Sequence, residues 1–226
     1  MDLYGLIFDV DGVIADTEAV NARASIKVFE DLFGIKGVKR QDFEAGLGRG
    51  AEEYVKAAAG VHGLELTEEQ VEKATQLRQE YFLRILSQEP LPSFPGVLKL
   101  MNKAMQSEYF EVAIATSGTF EKSRAVLSAA KVPYQKMVYI KGDDVTNKKP
   151  DPELFLLAAE RMGIEPANCV VIEDAPNGVQ AARAAGAGCI AVTNSTDAAK
   201  LCEADLVCDS LKLVDLETII KLIQNK

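Results

Sequence analysis

The chain has 226 residues, 48% of them apolar and 26% charged, with a formal net charge of −9. This composition is typical of a globular protein with one large or two modest domains, and its negative charge argues against nucleic acid and anionic membrane as partners. No apolar stretch approaches membrane-spanning length and no signal-like segment opens the chain, so we expect a cytoplasmic protein.

The cysteines and the single histidine offer little to redox or histidine-based chemistry. No two cysteines have C-x-x-C spacing, and we expect all four to be reduced. His62 lies in a glycine-flanked connector and is expected to be a loop residue. Mechanisms that need a Ser-His-Asp set, a Cys-His set or a His-rich metal site therefore have almost nothing to draw on.

The first predicted element is a strand over residues 3–9, which ends at Asp9 and is followed by Asp11. Its apolar residues are nearly continuous, as expected of a strand that is covered on both faces. A lone D-x-D pair is more often a helix cap or a surface feature than a site. A functional interpretation of the two acids therefore needs support from elsewhere in the chain.

A helical stretch follows, with no convincing strand between residues 16 and 93. Apolar residues recur at helical spacing in its first part, at Ala22, Ile26, Phe29 and Phe33. Thr67 and Gln70 have the spacing of a capping box before a further helix, and a proline-rich connector, 90–96, closes the stretch. We predict a helical domain of residues 16–93, inserted into an α/β domain of residues 1–15 and 94–226.

Further strands alternate with helices after the insert, at residues 111–116, 137–141, 169–173, 188–192 and 205–208. Asp151 and Pro152 have the pattern of a helix start, Gly163 that of its end, and Gly186 ends another helix. Strands that alternate with helices form parallel crossovers. The predicted fold is α/β, with a Rossmann-like doubly wound parallel sheet as core and an inserted α-helical cap domain.

The residues at the carboxyl ends of these strands carry the chemistry, because ligands of open parallel sheets bind there. They are Asp9, Asp11, Thr116, Ser117, Lys148, Lys149, Glu173 and Asp174. Each alone fits a helix cap or a solvated surface side chain. Together, four crowded carboxylates call for a hard divalent cation, for which Mg²⁺ fits best, and the hydroxyls and an ammonium group suit a phosphoryl group.

Four stretches resemble the motifs of the haloacid dehalogenase superfamily, in its Mg²⁺-dependent phosphotransferase branch. They are FDVDGVIADT, IATSG, KKPDP and VVIEDAPNGVQAARAAG, in the order and spacing of the family. The helical insert between the first two resembles the cap of the β-phosphoglucomutase-like and CbbY-like subfamily. The resemblance covers the whole chain and implies a phosphoryl-transfer enzyme with Mg²⁺ as cofactor.

The resemblance also implies the roles of the acids. Asp9 is expected to attack phosphorus and form an aspartyl-phosphate, while Asp11 protonates the leaving oxygen and then deprotonates water. Mg²⁺ is expected on Asp9, on the backbone carbonyl of Asp11 and on Asp174. Glu173 is expected to be a direct or water-mediated ligand of the same ion.

Phosphoryl oxygens are expected to bind Thr116, Ser117 and Lys149. Lys149 is favoured over Lys148 because the family places its lysine directly before this proline. Arg49, between glycines in a loop of the predicted cap, is a candidate for holding a distal phosphate or carboxylate of the substrate. A solvated loop arginine is the alternative.

The sequence favours a phosphatase of small phosphorylated metabolites, such as sugar phosphates, over a sugar-phosphate mutase. Mutases of this subfamily carry a histidine shortly after the first motif, where this chain has Asn21. A signalling receiver module is the alternative from another class, but receivers carry their phosphorylated aspartate on a middle strand and lack a large insertion. We expect a monomer, with a homodimer left open.

Overall fold

The computed structural model describes residues 3–47 and 49–224, which form two compact units. One unit comprises the residues up to Asp16 and those from Leu91 onward, and the other comprises Thr17–Pro90. The predicted insert, residues 16–93, differs from the second unit by one residue at its start and by three at its end. The connector belongs to the first unit because the Leu91 amide donates to the Ala129 carbonyl at 3.1 Å and Ser93 forms a β-bridge with Ala15.

The described residues of the first unit form one six-stranded parallel sheet in the order β3-β2-β1-β4-β5-β6. The strands are β1 (Tyr4–Phe8), β2 (Phe110–Ala115), β3 (Val138–Ile140), β4 (Cys169–Glu173), β5 (Gly188–Val192) and β6 (Leu206–Cys208). All six predicted strands and the doubly wound α/β fold are confirmed. Strand order reverses at the central β1, so a crevice for ligands is expected beyond its carboxyl end.

Helices cover this sheet: α4 (Val97–Met105), α5 (Phe120–Ala129), α6 (Glu153–Met162), α7 (Pro176–Ala184) and α8 (Leu216–Gln224). Helix α6 ends at Gly163, whose φ of 70° is left-handed, as the sequence predicts. Its start differs by one residue. The N-cap is Pro152, while Asp151 Oδ1 accepts a hydrogen bond from the Glu153 amide at 2.9 Å.

The second unit consists of α1 (Thr17–Phe33), a 3-10 turn (Arg40–Gly46), α2 (Ala51–Val61) and α3 (Glu68–Gln88). The predicted capping box at the start of α3 is confirmed, since Thr67 and Gln70 exchange hydrogen bonds of 2.9 and 3.2 Å. Buried aromatic rings form the core of the unit, with Phe43 stacked on Tyr54 at 4.6 Å between centroids. Each unit therefore buries an apolar core of its own.

The expectation that the cysteines lie in the core holds for two of them, while Cys202 is exposed and Cys208 is partly exposed. All four cysteines are free, and Cys169 and Cys189 are buried in adjacent strands. His62 follows α2, and its Nε2 lies 2.8 Å from Asp42 Oδ2. Within residues 3–47 and 49–224, no helix is both long and apolar enough to cross a membrane.

Candidate active site

Asp9 is the first residue after β1 and lies at the carboxyl edge of the sheet. Its amide donates to the Ile172 carbonyl of β4 at 3.1 Å, and its side chain is buried. The chain then turns at once, since the Ile14 amide donates to the Val10 carbonyl at 2.9 Å. The turn leaves Asp11 partly exposed while Asp9 stays enclosed.

Lys149 joins two of the acids. Its Nζ lies 2.6 Å from Asp9 Oδ1 and 2.6 Å from Glu173 Oε1; both acids are buried, and 9% of the Lys149 side chain is exposed. The same ammonium lies 4.9 Å from the centroid of the Phe155 ring, in cation–π range. Lys148 instead donates to the Gly142 carbonyl. The structure thus places Lys149, and not Lys148, among the acids.

Glu173 is the last residue of β4, and its second oxygen is bound by the chain that follows. Oε2 accepts hydrogen bonds from the amides of Asp174 and Ala175 at 2.7 and 2.9 Å. Gly178, in the first turn of α7, leaves room for this carboxylate, because a Cβ there would lie 1.7 Å from Glu173 Oε1. Because both of its carboxylate oxygens accept hydrogen bonds, Glu173 is held in contact with Lys149.

Asp174 is also buried, beside the turn that follows β1. Gly12 has a left-handed φ of 77°, and a Cβ there would lie 1.9 Å from Asp174 Oδ2 and 2.5 Å from Ser195 Oγ. A hydrogen bond also joins Asp174 to Ser195, and Asn194 Nδ2 donates to the Gly12 carbonyl at 2.8 Å. Gly12 therefore permits the close approach of β4 and β5 residues to the first turn.

Thr116 directly follows β2 and is buried, with Oγ1 accepting a hydrogen bond from the Gly118 amide at 3.0 Å. The alternative in which Thr116 or Ser117 caps the next helix is wrong, because the N-cap of α5 is Thr119. Ser117 is exposed, and its carbonyl packs against Gly142. Because Thr116 directly follows β2, it lies at the same carboxyl edge of the sheet as Asp9 and Asp174.

Asp11 lies over the turn that carries Thr116. A Cβ on Gly118 would lie 3.7 Å from Asp11 Oδ2 and 3.3 Å from Thr116 Oγ1. The other carboxylate oxygen, Oδ1, lies 3.3 Å from the Nζ of Lys122, in the first turn of α5. The two aspartates therefore have different cationic partners, Lys149 for Asp9 and Lys122 for Asp11.

Burial and mutual repulsion shift the pKa values of these groups. Desolvation raises the pKa of Asp9 well above 3.8; the ammonium of Lys149 opposes the shift, and Glu173, Asp174 and Asp11 add to it. Burial, followed by the charge of Glu173, raises the pKa of Asp174 to about 7. Burial alone would lower the pKa of Lys149, but Asp9 and Glu173 raise it above its usual value. The site thus concentrates more negative charge than one lysine neutralises.

This donor set fits a hard cation that keeps part of its hydration shell. Among the described residues, no three His, Cys, Asp or Glu side chains form a group that could hold a metal ion by themselves. Hydrogen bonds occupy both carboxylate oxygens of Glu173. The oxygens that remain to bind a cation are the carboxylates of Asp9 and Asp174 and the carbonyl of Asp11. Mg²⁺ is bound by one or two carboxylates and completes its octahedron with waters and phosphate oxygens. Two buried acids with raised pKa values are what such an ion would stabilise.

Three neighbours of the site were not expected from the sequence: Lys122, Asn194 and Ser195. Asn194 and Ser195 follow β5 at the same sheet edge as the other site residues, so the rule of strand ends could have indicated them. Lys122 lies within a helix, and no sequence signal marks it. Arg49, in the helical unit, is 66% exposed and pairs with Glu53 at 3.6 Å.

The sequence relatives include proteins named as phosphatases. Residues 5–186 match the haloacid dehalogenase-like hydrolases. The chain is 31% identical over 186 residues to fructose-1-phosphate phosphatase YqaB of Escherichia coli strain K12, with 80% of this chain and 92% of that protein covered. It is 33% identical over 200 residues to Protein SUPPRESSOR OF QUENCHING 1, chloroplastic, of Arabidopsis thaliana, covering 88% of this chain but 19% of that longer protein.

A solved structure of similar fold contains phosphate. CbbY of Rhodobacter sphaeroides in complex with phosphate superposes with a TM-score of 0.79 at 25% identity, over 96% of this chain and 99% of that chain. The likeness extends over both the α/β and the helical unit, since each lies within the covered length.

Proposed function

Because the chain belongs to the haloacid dehalogenase-like hydrolases and is a phosphatase, we propose that it hydrolyses small phosphate esters, such as sugar phosphates, through an aspartyl-phosphate on Asp9. One observation carries the proposal. Lys149 holds Asp9 and Glu173 at 2.6 Å each, while Asp11 stands apart beside a different cation. Asp9 is thereby kept as the nucleophile, and Asp11 is left for proton transfer.

The first step transfers the phosphoryl group to the protein. A carboxylate oxygen of Asp9 attacks phosphorus, the ester P–O bond breaks, and the leaving oxygen takes the proton of Asp11. Lys149 orients Asp9 and balances charge on the phosphoryl oxygens, and the Thr116 hydroxyl with nearby backbone amides supplies further donors. The products are aspartyl-phosphate, a free alcohol and ionised Asp11.

The second step restores the enzyme. Asp11 takes a proton from water, the water oxygen attacks phosphorus, and the P–O bond to Asp9 breaks. Inorganic phosphate leaves, Asp9 is again a carboxylate and Asp11 is again protonated. Both steps use the same two aspartates, so no histidine is required.

Mg²⁺ is the proposed cofactor, held by the carboxylates of Asp9 and Asp174 and by the carbonyl of Asp11. When bound, it supplies positive charge beside the phosphoryl oxygens and keeps Asp9 ionised. We assign Glu173 to orienting Lys149, because hydrogen bonds engage both of its oxygens. Asp174 reaches the same turn through Gly12, which brings its carboxylate beside the Asp11 segment.

The proposal is tested by phosphate release from a panel of sugar phosphates, with Mg²⁺ or with EDTA. The Asp9→Asn variant is expected to lose about 1,000-fold or more in kcat, since the amide cannot act as nucleophile. EDTA should abolish turnover and added Mg²⁺ restore it. Glucose 1-phosphate with a bisphosphate activator tests for isomerisation in the same assay. Undiminished hydrolysis by Asp9→Asn would exclude the aspartyl-phosphate.

A further inference from the structure

Lys122 is a charged neighbour of the site that the proposed reaction does not yet use. Its Nζ lies 3.3 Å from Asp11 Oδ1, with 24% of the Lys122 side chain and 36% of the Asp11 side chain exposed. It lies outside the stretches that resemble the family motifs. The contact joins two segments that are distant in the chain, so it depends on the fold of the α/β unit.

The backbone that carries Lys122 is fixed by hydrogen bonds on every side of the first turn of α5. The Lys122 amide lies 3.5 Å from the Thr119 hydroxyl that caps the helix, and the Phe120 amide donates to Asp143 at 2.8 Å. Ser123 donates to the Thr119 carbonyl at 2.6 Å. These hydrogen bonds hold the backbone of Lys122 in place, and its side chain extends from there to Asp11.

The position is electrostatically unfavourable for a lysine when the helix is considered alone. The amino end of a helix carries partial positive charge and favours acids, such as Glu121 in the same turn. A cation there gains nothing from the helix dipole. The carboxylate of Asp11 is a favourable partner for a lysine at this position.

Asp11 is the most exposed of the four acids at the site. Asp9 and Glu173 are buried and share Lys149, whereas the Asp11 side chain is more than a third exposed. An exposed carboxyl group samples several rotamers, while proton transfer requires one orientation toward the leaving oxygen. The ammonium group 3.3 Å from Oδ1 favours the rotamer that keeps this ion pair.

We propose that Lys122 is a positioning residue for Asp11, whose ammonium group holds the carboxyl group in the orientation that serves proton transfer. The assignment rests on the proposed function, because it concerns the acid and base of that reaction. Lys149 then orients the nucleophile, Asp9, and Lys122 orients the proton donor, Asp11.

The test compares two esters that differ in their need for a general acid. In Lys122→Met, kcat/KM for a sugar phosphate should fall about tenfold or more, because its alkoxide leaving group must be protonated. For p-nitrophenyl phosphate, kcat/KM should fall less than about twofold, since nitrophenolate leaves without a proton. Lys122→Arg should recover most of the loss. Arg124→Met removes a cation from the same helix and serves as the matched control, with both values unchanged.

A double-mutant cycle shows whether the effect passes through Asp11. In an Asp11→Asn background, Lys122→Met should cause no further loss of kcat/KM for the sugar phosphate. A higher KM at unchanged kcat would make Lys122 a substrate contact and overturn the assignment. Equal losses for both esters, or no loss for either, would overturn it as well. Asp9→Asn, run in parallel, tests the proposed function separately: if it is inactive, a failed cycle rejects only the role of Lys122.

Discussion

Lys149 is the residue on which the charge balance of the site depends. It supplies the cation between the buried carboxylates of Asp9 and Glu173, and its contact with Asp9 joins residues 140 positions apart. Removing it would leave buried acids without their partner, which is strongly destabilising. One lysine does not balance Asp174, however, because burial and then the charge of Glu173 raise the pKa of that group.

The pKa of Asp174 makes stability and Mg²⁺ binding depend on pH. Its value in the folded protein is about 7, against 3.8 ordinarily. The folded chain therefore keeps a proton that the unfolded chain has lost, and this contribution to stability falls as pH rises from about 4 through about 7. Mg²⁺ competes with that proton, so the increase in Tm caused by Mg²⁺ should be larger at about pH 8 than at about pH 5.

Thermal melts with Mg²⁺ or EDTA at the two pH values measure this difference. Asp174→Asn carries no titrating group at the position and should show a smaller increase in Tm, with a smaller difference between the two pH values. An equal increase in the wild-type protein at both pH values would count against Asp174 as a ligand.

At the scale of elements, the junction of β4 and α7 orders the site. The strand ends at Glu173, the two following amides bind its carboxylate, and Gly178 gives it space within the first turn of the helix. The Glu173 side chain therefore packs the end of β4 against the first turn of α7. The family motif at this junction therefore carries a packing requirement as well as two acids.

Gly178→Ala tests that requirement. Alanine normally stabilises a helix by about 0.5–1 kcal/mol relative to glycine, but the new Cβ would lie 1.7 Å from Glu173 Oε1. Stability in urea should fall, and kcat should drop about tenfold or more as Glu173 and Lys149 shift. Gly60→Ala, in α2, is the matched control, because no described atom lies within 4 Å of a Cβ placed at Gly60. That variant should gain stability and keep kcat; the same gain in Gly178→Ala would refute the packing argument.

At the scale of the whole molecule, the two units differ in chemical content. The proposed nucleophile, acid, metal ligands and phosphate donors all belong to the α/β unit. The helical unit has its own aromatic core and contributes none of these groups. Differences in substrate among enzymes with one catalytic set are expected to come from residues outside that set.

Arg49, in the helical unit, remains a prediction as a substrate contact. If it binds a distal phosphate or carboxylate, Arg49→Ala should raise KM for the physiological ester about tenfold, with kcat for p-nitrophenyl phosphate nearly unchanged. Glu53→Ala, which removes its ion-pair partner, is the control and should leave both constants near the wild-type values. Equal effects of Arg49→Ala on both esters would exclude the contact.

The sequence by itself determined the elements and the set of reacting groups. Continuous apolar runs predicted all six strands, and local signals such as Gly163 and the Thr67 capping box marked helix ends, because these depend on neighbouring residues. Because ligands of parallel sheets bind at the carboxyl ends of the strands, the sequence also predicted that Asp9, Thr116, Lys149 and Asp174 lie at one edge of the sheet.

Only the tertiary structure decided which of these groups touch. That Lys149 binds Glu173 as well as Asp9, and that Lys122 pairs with Asp11, follow from contacts between distant segments. Such contacts depend on strand register, helix placement and rotamers, which local sequence patterns do not encode. A lysine inside a helix carries no sign of the carboxylate it will meet, and the fold alone brings the two together.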